Sequence, residues 1–189
     1  MREIDEGRDM ARYRSILAPA IVLAGCAALA SAASPPAGSP VLDAETTRQL
    51  TAAAGTLLEQ RSAALVRQSR RDRRPPAQVL GVRISPEVAR GQERAVRALE
   101  NRGRAPVEGG PAYTAAKTRL ERARAVREGG LIVLEAVENT EMRFGEGRLV
   151  QSVRRRFEFT TTRERIVLVR EGLLDPGDRP LNDPPNPSR

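Results

Sequence analysis

The sequence predicts an α+β domain in which two helices pack on a curved antiparallel sheet of four or more strands. Three observations carry that reading. Two segments after residue 42 place apolar residues at helical spacing. The run from Gly129 to Thr140, GGLIVLEAVENT, is the one long apolar β-branched stretch after residue 40. The segments flanking that run alternate at period two and are joined to it by turn-forming residues. Four regions result: residues 1–33 as an export signal, 34–41 as a tether, 42–171 as the α+β domain and 172–189 as a tail.

Residues 1–9 mix charges without pattern. The stretch from Met10 to Arg14, MARYR, followed by an apolar run from Ile16, has the basic and hydrophobic regions of an export signal, with Met1 and Met10 as alternative starts. The positive charge keeps that end cytoplasmic and sends the remainder of the chain across the membrane. Within the run, Leu23, Ala24, Gly25 and Cys26 resemble the lipobox of bacterial lipoproteins at every position. The resemblance implies that Cys26 carries a diacylglyceryl group, that the signal is cut before it, and that the protein is anchored to the outer face of the cell membrane. Two other outcomes stay open. Ala30, Ser31 and Ala32 form an A-x-A site that would release a secreted protein. Ile16 to Ala33, about 18 residues, is close to one bilayer crossing and could serve as an uncleaved anchor. Ser34 to Pro40, SPPAGSP, reads as an extended spacer.

Asp43 is the N-cap of a helix running to about Val66, with Glu45 in the first turn complementing the helix dipole. Leu50, Ala54, Leu57, Leu58 and Leu65 form its apolar stripe. The cluster from Arg67 to Arg74, RQSRRDRR, ends against Pro75 and Pro76, which stop a helix. Gln78 to Ile84, QVLGVRI, reads as one short strand. Ser85, Pro86 and Glu87 open a second helix with a cap, a proline at its first position and an early acid. Val88, Ala95, Val96 and Leu99 are its apolar stripe, and Asn101 to Gly103 ends it.

Residues 115–127 contain good helix formers, yet they alternate, with Thr118, Leu120, Arg122, Arg124 and Val126 on one side and Lys117, Arg119, Glu121, Ala123 and Ala125 on the other. The turn decides for a strand, because Glu128, Gly129 and Gly130 give a Gly-Gly hairpin into the apolar run. In that run Ile132, Leu134 and Ala136 point one way and Leu131, Val133, Glu135 and Val137 the other, so both faces begin apolar and both need cover. Val150 to Thr161 and Arg165 to Arg170 form a further pair, turning at Thr162 to Glu164. The tail DPGDRPLNDPPNPSR buries little apolar area and is expected to be disordered.

Composition narrows the chemistry. The chain has no histidine and a single cysteine, Cys26, which removes Cys/His zinc sites, Ser-His and Cys-His nucleophile pairs and any disulfide within the chain. No catalytic residue, metal or cofactor is expected, and no hydrolase activity. The formal charge is +8, and Lys117 is the only lysine among 32 basic residues, a skew that a GC-rich genome writes by itself. The alternative source of the basicity is an anionic partner, either cell-envelope polymer or phospholipid, held by Arg70, Arg71, Arg73 and Arg74 with Arg154, Arg155 and Arg156. Aromatic content of 3% argues against base stacking and hence against nucleic acid.

The segments Ala63 to Val66, Gly110 to Thr114 with Thr118, Val133 to Thr140, Phe157 to Phe159 and Ile166 to Val169 together resemble the N-terminal module of secreted actinobacterial amidase-domain proteins, over about residues 42–171. That module is similar to the nuclear transport factor two-like, or SnoaL-like, cone. The resemblance implies a curved sheet wrapped around helices, without the separate amidase domain that carries the chemistry in those proteins. Its functional implication is a binding or accessory module, working on a ligand or on an envelope protein. Some members of the wider superfamily use a carboxylate base and a tyrosine inside the pocket, for which Tyr113, Glu135 and Glu158 are the candidates here. The bland alternative leaves Glu135 and Glu158 exposed or paired with Arg124 or Arg156.

Overall fold

A computed structural model describes residues 40–66, 75–102, 110–162 and 165–184. The signal segment with Leu23, Ala24, Gly25 and Cys26, most of the tether, and the arginines at 70, 71, 73 and 74 lie outside the described residues. The chain enters as an extended stub. Leu42 N–H donates to Ala125 O at 2.9 Å and Arg127 N–H donates to Pro40 O at 3.1 Å, so pairing starts just before the expected domain boundary.

Helix α1 spans Ala44–Val66. The Asp43 carboxylate caps it by accepting the Thr46 N–H at 2.8 Å. That backbone hydrogen bond, helped by the Thr46 hydroxyl, holds the Asp43 carboxyl below its ordinary range. Strands β1 (Gln78–Val79) and β2 (Val82–Ile84) correct the expectation of a single strand. Leu80 and Gly81 both adopt left-handed backbone, φ 49° and 85°, and fold the segment into a tight hairpin whose twist matches paired strands. Helix α2 spans Pro86–Arg102 and starts as the sequence predicts, with Pro86 first and Ser85 Oγ accepting the Val88 N–H at 3.2 Å.

Four longer strands follow: β3 (Tyr113–Glu128), β4 (Leu131–Phe144), β5 (Gly147–Thr162) and β6 (Arg165–Leu173). Gly129 and Gly130, at φ 53° and 86°, make the expected β3–β4 hairpin. Gly130→Ala should cost about 1–2 kcal/mol through left-handed backbone strain, read as a lower urea midpoint. The sheet order is β1-β2-β6-β5-β4-β3, and all neighbours are antiparallel except β2 with β6. The fold is therefore α+β with two helices and a curled, half-barrel sheet of six strands. The sheet is mixed rather than wholly antiparallel, and α2 sits between β2 and β3, following the short 78–84 segment as the sequence predicts. The parallel pair arises because β2 adds to the free edge of the last strand, through Arg83 opposite Val167 and Ile84 opposite Leu168.

The simple alternation expected for 115–127 breaks at Arg122, whose φ is 52°. Between the pairs Glu121–Val137 and Arg124–Glu135, β3 spends three residues where β4 spends two. This bulge flips the facing residues: Thr118 aligns with Thr140 before it, and Ala123 and Ala125 join the core after it.

On β4, Ile132 and Leu134 are buried in a cluster with Leu50, Leu57 and Leu58 of α1. Val133 is also fully buried, on the opposite face, but Leu131, Glu135 and Val137 beside it are only half-buried. Cover on that second face is thus partial. A second cluster, at the other end of the sheet, joins Ala64 and Leu65 of α1, Val96 and Leu99 of α2, Tyr113 and Met142. No helix among the described residues is long and apolar enough to cross a membrane.

The tail corrects the expectation of disorder from residue 172. Gln151 accepts the Leu181 N–H at 2.9 Å and donates to Arg179 O at 3.0 Å, while Leu181 packs on the second cluster and Asn182 is fully buried. Counting apolar area missed this ordering because polar groups drive it.

Candidate functional site

Between the two apolar clusters a polar belt crosses the core. Both helices and the four longer strands contribute at inward-facing positions: Arg61 and Ser62 on α1, Gln92 on α2, Thr118 on β3, Glu138 and Thr140 on β4, Arg155 on β5, all of them buried, with Glu171 on β6. Arg61 follows Leu57 by one helical turn, and Glu138 follows Ile132, Leu134 and Ala136 at period two, so local structure alone points these charges inward. An isolated charge there would be prohibitive, and each is met by an opposite charge.

Arg61 donates from Nε to Gln92 Oε1 at 2.6 Å and from Nη1 and Nη2 to the two Glu171 oxygens at 2.8 and 2.7 Å, a forked pairing. Arg155 donates from Nε to Glu138 Oε2 at 2.5 Å and from Nη1 to Glu171 Oε1 at 2.9 Å. Their side chains are 2% and 1% exposed for the Arg155–Glu138 pair, which makes this the deepest ion pair of the described residues. Glu138 Oε1 also accepts the Thr140 hydroxyl at 3.0 Å, and Thr140 connects through Thr118 to Ser62. The tail completes the belt. Asp183 accepts from Arg61 at 2.7 Å and from Arg155 at 3.0 and 3.1 Å, while the Asn182 amide donates to Glu138.

The charges reinforce each other. Burial works against the Arg155 guanidinium, but Glu171, Asp183 and Glu138 outweigh it and hold its pKa above the ordinary arginine value. Burial likewise opposes ionisation of Asp183, and Arg155 and Arg61 outweigh it, so its carboxyl titrates below the usual range. No buried side-chain nitrogen or oxygen among the described residues lacks a hydrogen-bond partner.

One side of the belt forms the floor of an open cleft of about 1100 Å³ between α2 and β6. Arg61, Gln92, Arg155 and Glu171 line its depth, Val88 and Gly91 one wall, and Asp183 with Pro184 the side where the tail enters.

The structure does not bring the sequence-selected carboxylates and tyrosine together. Tyr113 is buried in the second cluster, edge-on to Phe144 with ring centroids 6.1 Å apart, and its burial pushes the phenol pKa up. Glu135 lies on the other face of β4, opposite Arg124 and Arg156 in the ladder and 3.7 Å from Arg156. Glu158 reaches the rim of the cleft but is paired with Arg156 at 3.3 Å and Arg170 at 3.8 Å. The arginine group at 154–156 is divided as well. Arg154 is exposed, whereas Arg155 is buried in the belt and Arg156 is held by Glu128 at 2.9 Å, so neither of the latter two is a free surface cation. Strand alternation explains the split, since it turns Arg155 to the opposite face from its neighbours.

Arg61, Gln92, Glu138, Glu171, Asn182 and Asp183 went unselected in the sequence. A signal existed for two of them, as charges on otherwise apolar faces at Arg61 and Glu138. None existed for the tail pair. Among the described residues no group of three or more Asp, Glu, His or Cys is arranged to hold a metal ion. No family model, no curated protein and no solved structure matches this chain.

Proposed function

We propose that the domain is a non-catalytic binding module, held at the outer face of the cell membrane by a lipid on Cys26, with the cleft between α2 and β6 as its ligand region. The observation that carries this reading is the cleft itself: about 1100 Å³ of open space over a floor of two buried guanidiniums whose carboxylate partners are all engaged. Glu138 accepts hydrogen bonds on both oxygens and Glu171 is forked onto Arg61, which leaves neither placed to take a proton from a substrate. Pockets of this size, with few convergent polar groups, suit small molecules. The curled sheet with its two helices supports the likeness to a SnoaL-like cone. An anionic-surface role is less favoured, because Arg155 and Arg156 are consumed in ion pairs.

Two measurements test the parts separately. Fatty-acid labelling should mark the wild type and leave Cys26→Ala unmarked; a mature protein beginning at Ala33 without acyl mass overturns the anchor. Gly91 lines the cleft and a Cβ there would meet nothing within 4 Å, so Gly91→Phe is the variant chosen to obstruct it. Small molecules that perturb the Gln92 and Gly172 amide resonances of the mature protein should lose that effect in Gly91→Phe. If none perturbs them, the cleft is not a ligand region.

A further inference from the structure

The tail and the rest of the belt differ in how they are held. Arg61 is fixed by Gln92 and Glu171, and Arg155 by Glu138 and Glu171, all from helices and strands of the sheet. Asn182 and Asp183 come instead from an irregular segment after β6, with Asp175, Pro176, Gly177 and Arg179 exposed on the way. Taking those two residues away would leave both guanidiniums in place, each still paired, with four donor contacts vacated: one from Arg61 and three from Arg155, two of these to Asp183 and one to Asn182 Oδ1 at 3.4 Å. It would also vacate the Asn182 amide position, whose N–H groups reach Glu138 and, at 3.2 Å, Ser62 Oγ. What remains is a pre-formed receptor: a fork for a carboxylate next to an acceptor for an N–H donor. The Asp183 side chain is 23% exposed and stands on the cleft wall, so the vacated position opens directly onto the cleft.

We propose that this floor is a binding site for a small carboxylate that also carries an amide N–H donor, and that Asn182 and Asp183 occupy it in cis as an internal competitor. The proposal rests on the cleft being the ligand region. Its chemistry is set by the occupant: the tail presents one primary amide to Glu138 and Ser62 and one carboxylate to Arg61 and Arg155. A tail joined to β6 only by residues 174–181 acts at an effective concentration on the order of millimolar, so it sets the threshold that a free ligand must exceed. Ligand binding would release the segment from the cleft, making residues 178–184 the part of the domain that reports occupancy.

The test uses the full mature chain with succinamate, which carries one carboxylate and one primary amide, beside butyrate, which lacks the amide, and succinamide, which lacks the carboxylate. Succinamate should bind the double variant Asn182→Gly, Asp183→Ala at least tenfold more tightly than the wild type, and butyrate more weakly than succinamate. Succinamide should bind neither protein. In the wild type, saturating succinamate should speed amide hydrogen exchange in residues 178–184, a readout that needs no variant to fold. Asp183→Asn, which keeps the shape and removes the charge, should lie between wild type and double variant. A folded variant with unchanged affinity, or wild-type exchange in 178–184 that ignores succinamate, overturns the proposal and leaves the tail as a structural clamp. Another ligand still blocked by Gly91→Phe would then show that only this inference failed; no cleft ligand of any kind would take down the binding reading beneath it.

Discussion

Arg155→Met is expected to destabilise the mature domain by about 3–5 kcal/mol, because it leaves buried carboxylates without their main counter-charge. Among the described residues, Arg155 is the one that touches Glu138, Glu171 and Asp183 together. With it gone, Arg61 alone faces Glu171 and Asp183, and Glu138 keeps only Thr140 and Asn182 as donors. Methionine fills much of the volume, so the loss reports charge rather than a cavity. Urea unfolding followed by far-UV circular dichroism measures it. The neighbouring Arg154→Met, exposed on the other face, should stay within about 0.5 kcal/mol of wild type. A pH series adds a sign. The folded pKa of Asp183 is lowered from 3.8, so its contribution is present above about pH 4 and lost as pH falls through the folded value. Wild type should therefore weaken in acid, and the gap to Arg155→Met should narrow there, since the variant's carboxylates shed their mutual repulsion on protonation. A gap that is constant with pH would mean that Arg155 acts through packing alone.

Val133→Asp should prevent folding. Val133 is 0% exposed and stands in register between Val126 on β3 and Glu158 on β5, so a new carboxylate would be desolvated and set opposite another acid. An unpaired buried carboxylate costs several kcal/mol, against a total domain stability of about 5–15 kcal/mol. Arg127→Asp is the contrast. Arg127 is exposed two residues before the Gly129–Gly130 turn, and its substitution should leave a native spectrum. The same circular dichroism measurement reads both variants. A folded Val133→Asp protein would show that the partial cover over this face can open to water at little cost.

The elements that the sequence determined are those set by contacts within a few residues. Asp43 caps α1 because a carboxylate at that position reaches Thr46, and Pro86 starts α2 because its missing N–H costs nothing there. Gly129 and Gly130 turn the chain between β3 and β4 because both need left-handed backbone, which also made 115–127 readable as strand against its helix-forming composition. Even the inward direction of Arg61 and Glu138 comes from periods of 3.6 and 2. Tertiary structure decided what those periods cannot carry. The Arg122 bulge reverses which side of β3 faces the core, so alternation counted from Thr118 fails beyond it. The pairing of β2 with β6 joins residues 83–84 to 167–168, far apart in sequence and marked by no local signal. Arg155 and Arg156 look equivalent in a basic run, and although alternation sets Arg155 on the face of Phe157 and Phe159, only the tertiary structure supplies the buried carboxylates that meet it there. The tail shows the same limit most plainly: in LNDPP nothing local favours order, and Asn182 and Asp183 are fixed only because a charged floor from α1, β4, β5 and β6 already waits for them.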